Sequence, residues 1–178
     1  MKAFLFVSIF LASLFSSESD EKKIAWNENS KLSWSDFKGT PSGSREYVAS
    51  TNSGISFSYS YGERNGKINL EYTIQSNFYP NLSWYRPEIV NDYILRHEQA
   101  HFDISELFAR KLRKKVEAIP LTKNIKKEID AVYSANEKER QDIQHAFDKE
   151  SVHSRNEEGE LKWQRFIAAQ LKKYERWK

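Results

Sequence analysis

His97-Glu98-Gln99-Ala100-His101 places two imidazoles and a carboxylate within five residues. On a helix, residues four apart differ by about 40° in direction and about 6 Å in height. His97 and His101 then project from one face, where two ring nitrogens can converge on one ion at about 2.0–2.1 Å. Glu98 lies beside them, about 60° beyond His101 around the helix. From there a carboxylate can take a proton from a metal-activated water, so the HExxH pattern combines two zinc ligands with a general base. Glu98 also sits at the edge of an apolar stripe, where a carboxylate without a task is costly.

A hydrolytic zinc needs a third protein ligand and an open position for water. The chain has no cysteine and only four histidines, so the third ligand is a histidine or a carboxylate. Ile104 and Leu107 occupy the places of the Gly and His in an HExxHxxGxxH continuation. Leu121 stands near where a ligating Glu would follow on a next helix, and Glu117 lies on the far side of the same helix. His153, His145 and Glu128 remain as candidates. His153 is the better placed of the two histidines, beyond an expected helix end where a loop can steer it. A ligating imidazole usually passes its other N–H to a carboxylate or carbonyl. Asp148 suits that outer role better than Asp103, which points about 160° away from His101.

The elements that must position these residues are readable from period. Ile55, Phe57, Tyr59 and Tyr61 alternate with serines, and Ile68, Leu70, Tyr72 and Ile74 alternate with polar residues. Period two indicates strands with one buried face. Asn65-Gly66 between them suits a hairpin turn. Lys31–Trp34 and Val48–Thr51 read as short strands, with a Gly/Ser/Pro loop over 39–44. The second half is helical. Val90, Ile94, His97, His101, Ile104, Phe108 and Leu112 form one stripe of a helix expected over 87–119, ended by Pro120. Two more helices are expected over 123–147 and 157–177. Strands followed by helices indicate an α+β fold, with an N-terminal antiparallel sheet packed on a bundle of about three helices.

The HEQ-x-HFD-I run at His97–Ile104 resembles the core of the bacterial DUF922 family, described as candidate secreted zinc-dependent proteases. Leu32-Ser33-Trp34-Ser35-Asp36-Phe37-Lys38-Gly39 is similar to that family's L-[ST]-W-x-DF-x-G opening. Ser83-Trp84 and Leu95-Arg96 are similar to its approach to the helix. Phe147-Asp148-Lys149-Glu150-Ser151-Val152-His153-Ser154 is similar to its YD-x-x-T-x-H-[GS] segment, with Phe147 where Tyr is usual and Ser151 where Thr is usual. The resemblance implies zinc as cofactor, a zincin-like arrangement, Glu98 as catalytic base, and His153 as third ligand beside His97 and His101.

Met1-Lys2 followed by the apolar run Ala3–Phe15 has the form of a secretory signal peptide, set here at 1–19, and is too short to span a bilayer. A single exported domain over 20–178 follows, periplasmic or extracellular, with no stable membrane insertion. With 28 Lys and Arg against 25 Asp and Glu, the net charge of +3 is too balanced to indicate nucleic acid. The cationic run Arg110–Lys115 near a helix end reads as a solvated face favoured by the helix dipole. The function expected is peptide-bond hydrolysis on a peptide or protein substrate. A binding or structural domain braced by zinc, or a zinc amidase acting on cell-wall material, are the competing expectations.

Overall fold

The computed structural model describes residues 22–178, so the expected signal segment lies outside the described residues. Five strands precede three helices. β1 (Ile24–Ala25), β2 (Ala49–Ser50), β3 (Ser53–Arg64), β4 (Lys67–Phe78) and β5 (Trp84–Tyr85) are followed by α1 (Asp92–Glu117), α2 (Ile125–Ser151) and α3 (Glu157–Lys173). This is the α+β architecture expected. No helix among the described residues is long and apolar enough to cross a membrane.

The hairpin dominates the sheet. β3 and β4 pair antiparallel from Ser53↔Phe78 to Arg64↔Lys67. Asn65 and Gly66 both have positive φ, 53° and 72°, which lets a two-residue turn follow the twist of the strands. β1 adds to the other edge of β4, and β2 pairs separately with β5. The alternating side chains do what period two requires. Ile55 and Ile74 are buried in the main core, with Phe57, Tyr59, Ile68 and Leu70 packed partly against it.

α1 is the hub, touching the hairpin, α2 and α3. Its buried set includes residues well off the expected stripe, such as Gln99, Glu106 and Arg110, because neighbours cover it on several sides. Arg110, expected on a solvated face, is instead buried and matched by Glu106 at 2.8 Å, one turn earlier. A second aromatic cluster of Leu32, Phe37, Phe78 and Phe102 fixes the N-terminal segment to α1 and β4.

Several boundaries differ from the sequence expectation. α1 begins at Asp92 rather than 87, because extended Asn91 caps it by accepting the Ile94 N–H at 3.0 Å. The strand expected at Lys31–Trp34 is absent. Instead Trp34–Asp36 forms a 3-10 turn, closed by the Asp36 carboxylate accepting the Ser33 N–H at 2.7 Å. α2 runs four residues past 147, to Ser151, which places Asp148 on its last turn. The α2–α3 corner is tight. A Cβ at Gly159 would clash with the Glu150 carbonyl oxygen, so only glycine fits there.

Candidate metal centre

His97 and His101 lie on one face of α1, as the helical spacing requires, with their Nε2 atoms 3.2 Å apart. The last turn of α2 brings Asp148 to them. Its Oδ1 is 3.0 Å from His101 Nε2 and 3.4 Å from His97 Nε2. Phe147 is fully buried beneath both rings, stacked on His97 at 4.6 Å and edge-on to His101 at 5.0 Å. Phe147 thereby forms the floor of the site.

The outer ring nitrogens are engaged elsewhere. His97 Nδ1 donates to Oε2 of Glu160, a fully buried carboxylate of α3, at 2.9 Å. His101 Nδ1 donates to Gln144 Oε1 at 2.5 Å, while Gln144 Nε2 donates to the His101 carbonyl oxygen at 2.9 Å. The amide is thereby oriented with its oxygen toward the ring. With both Nδ1 atoms as donors, neutral imidazoles present lone pairs at Nε2. Two such lone pairs and a carboxylate oxygen face one another across 3.0–3.4 Å. A positive charge among them, a ring proton or a metal ion, would reconcile them.

A proton can serve in part. Burial works against a charge on His97, but the carboxylates of Asp148 and Glu160 outweigh it and push the imidazole up to about 9. Burial would raise Asp148, yet the imidazoles of His101 and His97 hold it well below the usual carboxylate range. The same three donors could hold a metal ion. Tetrahedral zinc bound by nitrogen and oxygen requires ligand atoms about 3.3–3.4 Å apart, close to the edges of this triangle. His97, His101 and Asp148 are the His, Asp and Glu residues whose ligand atoms group within 4.8 Å of one another among the described residues.

The donor triangle opens on a cleft of about 560 Å³, which Glu98, His145 and His153 also line. Glu98 is buried, and its Oε2 has no hydrogen-bond partner among the described residues. An unpartnered buried carboxylate oxygen is expensive, and this one belongs to a residue of the cleft wall. A larger hollow of about 700 Å³ lies on another face of α1, lined by Trp26, Leu95, Ile167 and Leu171. It contains neither histidine, so the candidate centre belongs to the smaller cleft.

The other residues singled out in the sequence fall as follows. His153, expected as third ligand, is half exposed, with Nδ1 3.6 Å from Asp148 Oδ1 and outside the triangle. Asp148, expected one shell out, takes the place beside the two histidines, because α2 extends far enough to carry it there. His145 is exposed on the cleft wall. Glu128 is twenty residues before Asp148 on the same helix, about 30 Å away along its axis. Asp103 faces away from the centre and accepts from Trp26 Nε1 at 2.6 Å and Gln99 Nε2 at 2.8 Å. Gln99 Oε1 in turn accepts the Leu32 N–H at 2.8 Å. Glu160 went unread in the sequence. It lies on the inner register of α3 with Trp163 and Ile167, and a carboxylate on an apolar stripe is the signal that marks it.

Fold and site together define a helix-borne two-histidine, one-carboxylate centre with an adjacent buried glutamate, set in an α+β domain. The chain belongs to the family described as bacterial protein of unknown function (DUF922), whose model matches residues 31–156. No curated protein and no solved structure matches it.

Proposed function

We propose that this protein is an exported zinc-dependent peptidase of zincin-like design. One observation carries the reading: the His97, His101 and Asp148 donor atoms stand at tetrahedral spacing in the cleft that the unpartnered Glu98 also lines. His97, His101 and Asp148 would hold the ion, leaving a position open toward the cleft. Zinc bound there supplies Lewis acidity, making water acidic enough to deprotonate near neutral pH and polarising a carbonyl.

The chain's own residues do the rest. Glu98 accepts a proton from the attacking water and passes it to the leaving amine nitrogen. Phe147 and the hydrogen bonds that the two rings donate to Glu160 and Gln144 keep the imidazoles from rotating. A peptide substrate suits the cleft wall. β2 pairs with β5 in the register Ala49↔Tyr85, with the Arg86 N–H donating to the Val48 carbonyl oxygen at 2.8 Å. In an antiparallel ladder that register turns the Ala49 N–H and C=O away from β5. Ala49 lines the cleft, so an extended peptide backbone can pair with it.

The test pairs wild type with Glu98→Gln on a broad peptide library, with and without chelator, alongside metal analysis. The expected result is one zinc per chain in both proteins and turnover in wild type alone. Equal behaviour of the two proteins across the library would instead favour a domain braced by its metal.

A further inference from the structure

Val152, His153 and Ser154 have φ values of 51°, 50° and 65°. One left-handed residue after a helix is an ordinary cap, and glycine usually supplies it. Three in succession without glycine, one of them β-branched, carry strain at each step. Such strain persists only where the surroundings over-determine it. Here the His153 N–H donates to the Asp148 carbonyl oxygen at 3.0 Å. The Arg155 and Asn156 N–H groups donate to the Ser151 carbonyl oxygen at 3.0 and 2.8 Å. Asn156 Nδ2 donates to the Glu150 carbonyl oxygen at 2.8 Å.

The turn brings the His153 ring back to the metal centre five residues after Asp148. Its Nδ1 stands 3.6 Å from Asp148 Oδ1, too far for a hydrogen bond. Tyr47 holds the ring edge-on at 5.3 Å. The backbone at Tyr47 is itself held: Arg86 Nε donates to its carbonyl oxygen at 3.1 Å, and Arg155 donates to that of Glu46 at 3.1 Å. The result is an imidazole at a strained, braced position on the cleft rim, beside the donor triangle but outside it.

Resting on the peptidase reading above, we infer that His153 is a further catalytic residue, which donates a ring N–H to the carbonyl oxygen of the scissile bond. That oxygen gains negative charge as water adds to the carbon, and a fixed donor there favours the transition state over the ground state. The ring keeps its proton throughout, because Glu98 carries the water proton to the amine. A role outside the triangle also preserves the open position. As a fourth ligand, His153 would close the centre in the manner of a structural zinc site.

The experiment compares zinc-loaded full-length wild type, His153→Ala and His153→Gln. Readouts are zinc per chain, melting temperature, affinity for a peptide phosphonate that mimics the tetrahedral oxyanion, and steady-state kinetics. Both variants should hold one zinc and melt with wild type. His153→Ala should bind the phosphonate at least about tenfold more weakly and lose about 10²–10³ in kcat, with KM nearly unchanged. His153→Gln, which retains an N–H donor, should recover part of the loss. Loss of zinc from His153→Ala would make the residue a ligand and overturn the inference. Phosphonate affinity and kcat equal to wild type would overturn it as well. A wild type that binds zinc but neither binds the phosphonate nor cleaves peptides would overturn the peptidase reading itself, and that outcome is visible without any variant.

Discussion

The Glu160 carboxylate, fully buried on α3, meets His97 Nδ1 at 2.9 Å across 63 residues of sequence. It fixes the ring's tautomer and makes Nε2 a stronger donor to a cation. Its other oxygen accepts from Gln164 Nε2 at 3.1 Å, so both are satisfied. Glu160→Gln preserves the shape but weakens the carboxylate–imidazole bond. Zinc affinity should fall about 10–100-fold, measured by competition with a fluorescent chelator. An unchanged affinity would show that His97 does not need this partner.

The ligand set is tested by four substitutions. Asp148→Ala and His101→Ala should abolish stoichiometric zinc, since each removes one donor of the triangle. His145→Ala and Glu128→Ala should leave it intact, because the first is exposed on the wall and the second lies about 30 Å along α2. Elemental analysis after gel filtration distinguishes the two groups.

Zinc binding should strengthen as pH rises. In the metal-free protein the His97 imidazole is pushed up to about 9, so it carries a proton at pH 7. Ligation requires the neutral ring and releases that proton. Apparent affinity should climb about tenfold per unit between pH 7 and 9 and then flatten. Calorimetry in two buffers of different ionisation enthalpy would also report about one proton released per zinc at pH 7. A flat profile would show that His97 is already neutral at pH 7 in the metal-free protein.

Chelation should lower the melting temperature as well as activity. The chain has no cysteine, and the centre joins α1 to α2. At free zinc about a thousandfold above its dissociation constant, linkage stabilises the fold by about 4 kcal/mol. Scanning calorimetry with zinc and with chelator measures the difference directly.

Val152→Gly should stabilise the protein. Val152 is exposed and adopts φ 51°, so glycine removes the left-handed penalty and little packing is lost. The gain should be about 1 kcal/mol, reduced by the larger entropy of the unfolded chain. A lower melting temperature would mean that the turn is not strained.

The hairpin, the three helices and the HExxH face were legible because each rests on local period or on spacing along one helix. Asn65-Gly66 located the turn, and helix arithmetic placed His97 and His101 together. The third member of the triangle was not legible, because it depends on where α2 ends. A helix stopping at 147 leaves residue 148 in a loop, whereas one reaching Ser151 aims Asp148 at the histidines. Glu160 depends on how α3 packs against α1, a contact no local pattern contains. The strand expected at Lys31–Trp34 failed for a similar reason, since Asp36 offered the Ser33 N–H a closer partner than any strand did.

The Trp26–Asp103 and Leu32–Gln99 hydrogen bonds divide the HEQxHFD run between two tasks. His97, Glu98 and His101 face the cleft, while Gln99 and Asp103 hold the N-terminal segment against the opposite flank of the same helix. Any shortening of the chain from its N-terminal side therefore has a physical limit. Cleavage upstream of Ile24 leaves these anchors in place. Trimming past Trp26 strips Asp103 of its indole donor and uncovers the back of the helix that carries the histidines.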